Sequence, residues 1–202
     1  TAYFLSITTM VVGNLFALRQ KNLKRFLAFS SITQAGFMML GFVNNDALGM
    51  NTIVYFMLIY SLSNLAVFGV LSIVTNNTGK ENMDDFNGFY ATNPRLSLIM
   101  LLALFSLAGI PPVAGFFGKF FLFTAAASKG FYILVFIAVL NATVSLYYYL
   151  LVVKAMFINK TEDPIPTLSA TWYEKVALSI CLTGVVVIGF ASGIYQYVAS
   201  LL

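Results

Sequence analysis

One lysine in this sequence stands inside an apolar run, where a charge is costly. The stretch LAGIPPVAGFFGKFFLF, residues 107–123, carries Lys119 among phenylalanines, with two prolines and three glycines before it. A lysine removed from water loses solvation of its charge, so its neutral form becomes accessible and the amine can exchange protons. Residue type and setting therefore indicate proton transfer.

The whole sequence has the composition of a membrane protein. Of its 202 residues, 60% are hydrophobic and only 9% are charged, whereas soluble domains have about 25% charged residues. Histidine is absent and cysteine occurs once, so haem, iron–sulfur and zinc sites lack their usual ligands. The net charge is +4, but the basic residues lie between apolar runs, which argues against nucleic-acid binding.

The apolar runs predict an all-α, polytopic transmembrane helix bundle of six spans, one of them discontinuous. We expect the spans at about residues 2–18, 26–43, 52–74, 96–127, 131–158 and 172–202. The first run begins directly at Thr1, without a signal peptide or an initiator methionine. We therefore expect residues 1–202 to be a single membrane domain, the C-terminal part of a longer subunit.

The basic residues predict which loops share a side of the membrane. Nine of them flank the first, third and fifth loops, and Lys129 lies at the opposite side. By the positive-inside rule, those three loops face the cytoplasm or the equivalent compartment. The nine are Arg19, Lys21, Lys24, Arg25, Lys80, Arg95, Lys154, Lys160 and Lys175.

The fourth span is too long for one straight helix. Residues 96–127 would form a helix about 48 Å long, but the hydrocarbon core is only about 30 Å thick. Pro111 and Pro112 remove two backbone donors, and Gly109 and Gly115 flank them. We expect two half-helices joined by an irregular link at residues 109–115. Such links are tolerated where protein buries them or where they line a wet cavity, and they mark transport sites.

Lys119 follows this link and precedes Lys129 by ten residues, which places it roughly 15 Å below the outer surface. Its side chain is too short to reach either face. All acidic residues lie in loops or at helix ends, so the sequence offers no counter-ion at that depth. A proton-carrying role is favoured. The alternative is a structural charge paired with an acid outside this sequence.

Other polar residues are candidates for a hydrated path. Gln34 lies ten residues past Lys24 on the second span, at a similar depth to Lys119. Lys24 and Lys154 are possible relay residues, although topology and snorkelling also explain them. Possible lining residues, which could instead bond to backbone or to neighbouring helices, are Ser30, Ser31, Thr33, Asn64, Asn141 and Ser145. For Asn64, helix contact is the favoured role.

The aromatic residues near the fifth and sixth spans suggest packing. We expect Tyr147, Tyr148, Tyr149 and Trp172 to pack between helices or to anchor them at the membrane interface.

Several segments together resemble a known family. SLAGIPPVAGFFGKFFLF, GNLFALRQKNLKRFLAFSSITQAGF, YSLSNLAVFGV and SLYYYLLVVKAMF are similar to the antiporter-like subunit N of proton-translocating NADH:quinone oxidoreductase (respiratory complex I), which is NADH dehydrogenase subunit 2 in mitochondria. The resemblance covers nearly the whole sequence and implies the ninth to fourteenth helices of a fourteen-helix subunit. It places the family's central lysine at Lys119, where the related M subunit typically has glutamate. The FFLF after it favours N over L and the sodium/proton antiporters.

This resemblance implies proton translocation coupled to electron transfer from NADH to quinone in other subunits. It implies a non-redox subunit of an enzyme, without a cofactor or metal of its own, and with NADH, FMN, iron–sulfur clusters and quinone held elsewhere. The implied partners are the antiporter-like M and small K-type subunits, lipids, protons and water, and no nucleic acid. The implied location is a bacterial inner membrane, or alternatively an organelle's. The main alternative is a subunit of a multisubunit cation/proton antiporter, followed by a non-transporting scaffold.

Overall fold

A computed structural model describes residues 1–44 and 46–190 of the protein as a bundle of helices. The last part of the predicted sixth span, residues 191–202, lies outside the described residues. The helices are α1 (Ala2–Leu18), α2 (Leu23–Asn44), α3 (Ala47–Thr78), α4 (Phe89–Thr92), α5 (Pro94–Ala108), α6 (Ala114–Ser128), α7 (Tyr132–Phe157) and α8 (Trp172–Phe190), with a 3₁₀ turn at Met83–Phe86.

The helices agree with the predicted membrane bundle. Of those described, α2, α3, α7 and α8 are long and apolar enough to cross a membrane alone. The shorter apolar helices are α1, α5 and α6. The latter two together occupy the place of the fourth predicted span.

Helix ends differ from the prediction because hydropathy detects only the apolar part of a helix. Helix α3 covers Ala47–Thr78 instead of residues 52–74. At its start, the Asp46 carboxylate accepts a hydrogen bond from the Gly49 amide at 2.8 Å, which caps the first turn. At its end, Asn77 donates to the Ile73 carbonyl at 2.8 Å within the last turn.

The predicted break in the fourth span is confirmed. Helix α5 ends where Gly109 adopts a left-handed conformation with φ of 85°, which favours glycine. The amide of Gly115, one residue into α6, donates to the Ser106 hydroxyl at 3.2 Å. A Cβ on Gly115 would lie 1.7 Å from the Ser106 carbonyl oxygen. The two half-helices therefore touch backbone to backbone beside the link.

Two ion pairs join the three basic loops on one side of the bundle. Lys24, at the start of α2, pairs with Glu81 in the loop after α3. Lys80 in that loop pairs with Asp163 in the loop after α7 at 2.8 Å. The Lys24 ammonium lowers the pKa of the Glu81 carboxyl. These contacts agree with the shared side that the charge pattern predicts.

The opposite side has its own ion pair. Lys129, after α6, lies 2.8 Å from the carboxylate of Asp46, before α3. The Lys129 ammonium lowers the pKa of the Asp46 carboxyl. Because the folded pKa is lowered, the stabilising contribution is present above the unfolded pKa of Asp46 and is lost as the pH falls through the folded value.

The core has an inner part, on the side of the three basic loops, and an outer part, on the side of Lys129. The two parts meet at the break. The inner cluster packs α2, α3, α5 and α7 around residues such as Phe26, Val70 and Met100. The outer cluster packs α2, α3, α6 and α7 around residues such as Phe37 and Leu122. Lys119 lies between them, since it contacts the end of α5 and the ring of Phe37.

We predict that Gly115→Ala destabilises the full-length subunit in its membrane assembly by about 1–3 kcal/mol, because backbone must move to admit the methyl group. The measurement is thermal unfolding of the assembly. Gly69→Ala is the matched control, since its Cβ would meet only the movable end of Leu178, at 2.9 Å. Equal stability of the two variants would contradict the close contact of the half-helices.

Candidate functional site

Lys119 is buried in the first half of α6 and points at the end of α5. Only 4% of the residue is exposed. Its Nζ donates to the carbonyl oxygens of Leu107 at 2.9 Å and Ala108 at 3.0 Å. The last carbonyls of a helix have no partner within that helix. The break thus supplies acceptors that the buried ammonium satisfies.

Two further residues shape the space around the amine. Lys119 Nζ lies 4.9 Å from the centroid of the Phe37 ring, whose face attracts a cation. A Cβ on Gly109 would lie 3.0 Å from Cδ of Lys119, so the glycine gives room to the lysine stem. Among residues 1–44 and 46–190, the ion pairs join groups at the two surfaces and none includes Lys119.

Gln34 shares an acceptor with Lys119. Its Nε2 donates to the Leu107 carbonyl at 3.0 Å and to the Tyr149 hydroxyl at 3.3 Å. Its Oε1 is buried and accepts no hydrogen bond from the described residues. Gln34 also lines a cavity of about 10 Å³ with Ser63 and Ser106, roughly the space that one water needs. The predicted neighbourhood of Gln34 and the broken helix is therefore present in the structure.

Buried polar groups continue from Gln34 to α7 and α1. The ring of Tyr149 lies 4.9 Å from that of Tyr148. The Tyr148 hydroxyl donates to Asn14 Oδ1 at 2.9 Å, and Asn14 Nδ2 donates to Asn141 Oδ1 at 2.9 Å. We call this set the polar row. Its members are Lys119, Gln34, Tyr149, Tyr148, Asn14 and Asn141.

The polar row includes residues that sequence reasoning missed. Tyr148 and Tyr149 were expected to pack or to anchor helices, but their hydroxyls take part in the row and each residue is only 1% exposed. Tyr147, in contrast, is 59% exposed. Successive residues of a helix point about 100° apart, so three adjacent tyrosines lie on different faces of α7. Tyr148 and Tyr149 follow Asn141 by seven and eight residues, which places all three on one face of α7. This spacing was the signal in the sequence that could have identified them.

Asn14 was also missed, although its position in an apolar helix was visible. It is 2% exposed and accepts a second hydrogen bond from the Thr33 hydroxyl at 3.2 Å. Thr33 therefore contacts the row, of which Asn141 is a member. Both are among the predicted lining residues.

Three other predicted lining residues hydrogen-bond within their own helices. Ser30 and Ser31 both donate to the Leu27 carbonyl at 2.8 Å, and Ser145 donates to the Ala142 carbonyl at 2.7 Å.

The remaining candidates lie apart from the polar row. Asn64 is partly buried on α3 and takes no part in the hydrogen bonds that define the row. Lys24 pairs with Glu81 near the inner surface. Lys154 is exposed in the last turn of α7. The structure thus brings Gln34 to Lys119 but leaves the two possible relay lysines at the surface.

Hydrogen bonds beside the link connect the two half-helices to each other and to α3. The predicted link residues Pro111 and Pro112 lie between the two helix ends. Ser106, near the end of α5, accepts from the Gly115 amide and lies 2.7 Å from the Ser63 hydroxyl of α3. These contacts fix the end of α5 beside Lys119.

We predict that Gln34→Leu lowers the free energy of unfolding of the full-length subunit by about 1–2 kcal/mol, because the Leu107 carbonyl and the Tyr149 hydroxyl each lose one donor in a buried place. Thr143→Ala serves as the control, since its hydroxyl bonds only to the Val139 carbonyl of its own exposed turn. We expect it to change stability by less than about 0.5 kcal/mol. Chemical denaturation of both variants checks this, and equal effects would contradict a stabilising role of the buried hydrogen bonds of Gln34.

Comparisons with known proteins place the chain and its fold in a family. Residues 1–145 match the family described as NADH:quinone oxidoreductase/Mrp antiporter, TM. The chain is similar to NADH-quinone oxidoreductase subunit N of Phocaeicola vulgatus, with 52% identity over 191 residues, which are 94% of this chain and 40% of that protein. The chain thus spans about two fifths of the length of this relative.

Two solved structures have a similar fold. A chain of respiratory complex I from Thermus thermophilus with bound aureothin is 33% identical, with a TM-score of 0.83 over 95% of this chain and 43% of that chain. A chain of the Mrp complex from Dietzia sp. DQ12-45-1b is 18% identical, with a TM-score of 0.86 over 98% of this chain and 45% of that chain. At this identity the similarity is one of fold alone. The predicted resemblance is confirmed, and the chain belongs to the NADH:quinone oxidoreductase/Mrp antiporter family of membrane proteins.

Proposed function

We propose that this chain is part of an N-type, antiporter-like subunit that moves protons across a membrane. Electron transfer from NADH to quinone, in other subunits, would drive the movement. The observation that carries the proposal is Lys119, buried at a helix break with its Nζ on the carbonyls of Leu107 and Ala108. The 52% identity to a subunit N supports the same assignment.

Lys119 is the proposed proton carrier because two opposing effects act on its charge. Burial disfavours the ammonium, while two carbonyls and the negative end of the α5 dipole favour it. A small change in nearby charge can then shift the equilibrium between the ammonium and the neutral amine. The ammonium has three N–H donors, of which two are used by Leu107 and Ala108, so a third remains to pass on a proton.

The polar row is the proposed route for protons to and from this amine. Lys119, Gln34 and Asn141 each lie 9 or 10 residues from the outer ends of their helices. These three members therefore lie at one depth, and Tyr148 and Tyr149 follow Asn141 by seven and eight residues toward the inner end of α7. Tyrosine hydroxyls both donate and accept hydrogen bonds, so Tyr148 and Tyr149 suit transfer between α6 and α1. Gln34 does not titrate and serves to orient its neighbours.

The rest of the assignment follows from the proposed subunit type. We propose that NADH, FMN, iron–sulfur clusters and quinone bind to other subunits, and that this chain is a non-redox part of the translocase. Its neighbours would be the M-type and small K-type membrane subunits, and its location a bacterial inner membrane. Lys24 and Lys154 stay candidate relay residues at the inner surface.

We predict that Lys119→Met abolishes most proton pumping by the full-length complex in sealed vesicles and lowers the coupled quinone reductase activity, with assembly retained. Methionine has a similar length but cannot carry a proton. The matched control is Lys129→Met, just after the same half-helix, whose ammonium lies at the surface against Asp46. Pumping by the Lys119 variant at the level of the Lys129 variant would refute the proposed carrier.

A multisubunit cation/proton antiporter is the second candidate, because the Mrp chain shares the fold with a TM-score of 0.86. Neighbouring genes separate the two: dehydrogenase subunits favour the first candidate, and antiporter subunits favour the second. We expect pumping to require NADH and to proceed without sodium. Proton exchange that is driven by a sodium gradient alone would favour the antiporter.

A further inference from the structure

We propose that a cavity between α5 and α8, at the inner surface of the bundle, binds the headgroup of an anionic phospholipid. The cavity has a volume of about 510 Å³. Arg95 and Lys175 supply its positive charge, Ser169 and Ser179 add hydroxyls, and Leu96 and Leu178 form part of its apolar wall. We call it the basic cavity. It lies apart from Lys119 and does not depend on the proposed proton transport.

The two cations of the basic cavity lack an acidic partner among the described residues. Both are exposed, in the first turns of α5 and α8, and the ion pairs in residues 1–44 and 46–190 include neither. Glu174, beside Lys175, accepts hydrogen bonds from the amide and the hydroxyl of Thr171 at 2.7 and 2.8 Å. The cavity therefore keeps a net positive charge, and a guanidinium matches phosphate oxygens in a bidentate manner.

The position of the basic cavity favours a lipid. Arg95 and Lys175 are among the residues of the positively charged side, where anionic headgroups lie. Trp172 and Tyr173 begin the same helix α8 and are 69% and 79% exposed, as is typical of residues that anchor helices at the interface.

The apolar walls of the cavity favour a phospholipid over a soluble phosphate as its ligand. Leu96 and Leu178 line the cavity and are 8% and 4% exposed. An inorganic phosphate would use only the charged mouth. A lipid would also place its glycerol and first acyl carbons against these leucines. Basic pockets between transmembrane helices at this level suit anionic headgroups.

The test uses the full-length complex in vesicles of phosphatidylcholine that contain a photoactivatable phosphatidylglycerol. We expect crosslinks to peptides that contain residues 95–99 and 168–179. In Arg95→Gln/Lys175→Gln, the yield should fall by about tenfold or more at low lipid fraction, since each cation contributes to headgroup affinity. The matched control, Arg19→Gln/Lys160→Gln, removes the same charge from exposed residues of the same side and should leave the yield unchanged.

A second variant separates shape from charge. Ser169→Trp fills the mouth of the cavity at an exposed position without a change of charge, and it should also abolish the crosslinks. Three results would overturn the proposal: equal yields from the Arg95/Lys175 variant and its control, equal crosslinking by a photoactivatable phosphatidylcholine, or displacement by millimolar inorganic phosphate. The last would indicate a site for a soluble anion.

Discussion

The structure depends on how the carbonyl groups at the end of α5 are satisfied inside the membrane. The last carbonyls of a helix have no partner in that helix, and hydrocarbon offers no water to replace one. The amides of Gly109 and Ile110 fold back on Phe105. The carbonyls of Leu107 and Ala108 are left to the side chains of Lys119 and Gln34.

This constraint explains why a broken helix and a buried lysine occur together. The break alone would leave acceptors without donors, and the lysine alone would leave an ammonium without acceptors, each of which is costly in a bilayer. Together they satisfy each other. The glycines let them meet, since Gly115 brings α6 against α5 and Gly109 leaves room for the lysine stem.

The hydrogen bonds at the break also extend beyond it. Gln34 bonds both to the Leu107 carbonyl and to Tyr149, so the helix end is joined to a polar row that crosses the bundle. A change of charge at Lys119 would change the hydrogen bonding of a carbonyl that Gln34 shares. The proposed coupling between the amine and its neighbours thus has a direct physical basis.

Local signals in the sequence predicted the break and its lysine. Two prolines between glycines end a helix, and an isolated charge in an apolar run is evident from the order of the residues alone. The charge pattern likewise predicted the grouping of the loops.

The contacts that complete the site could not be predicted in this way. The acceptor of Lys119 is backbone, which residue types do not reveal. The bond from Tyr148 to Asn14 joins residues 134 positions apart, so it depends on how α7 packs against α1. The ends of α3 also differ from the prediction, since the Asp46 cap starts the helix five residues earlier and Asn77 bonds within a last turn beyond residue 74.

The most direct test of the central claim is the number of protons pumped per NADH oxidised by the full-length complex with Lys119→Arg. Arginine keeps a positive charge and several donors for the carbonyls of α5, but it does not release its proton. If Lys119 carries protons, the assembled variant will pump fewer protons per NADH than the unmodified complex. Unchanged stoichiometry in a fully assembled variant would show that this residue is a fixed structural charge.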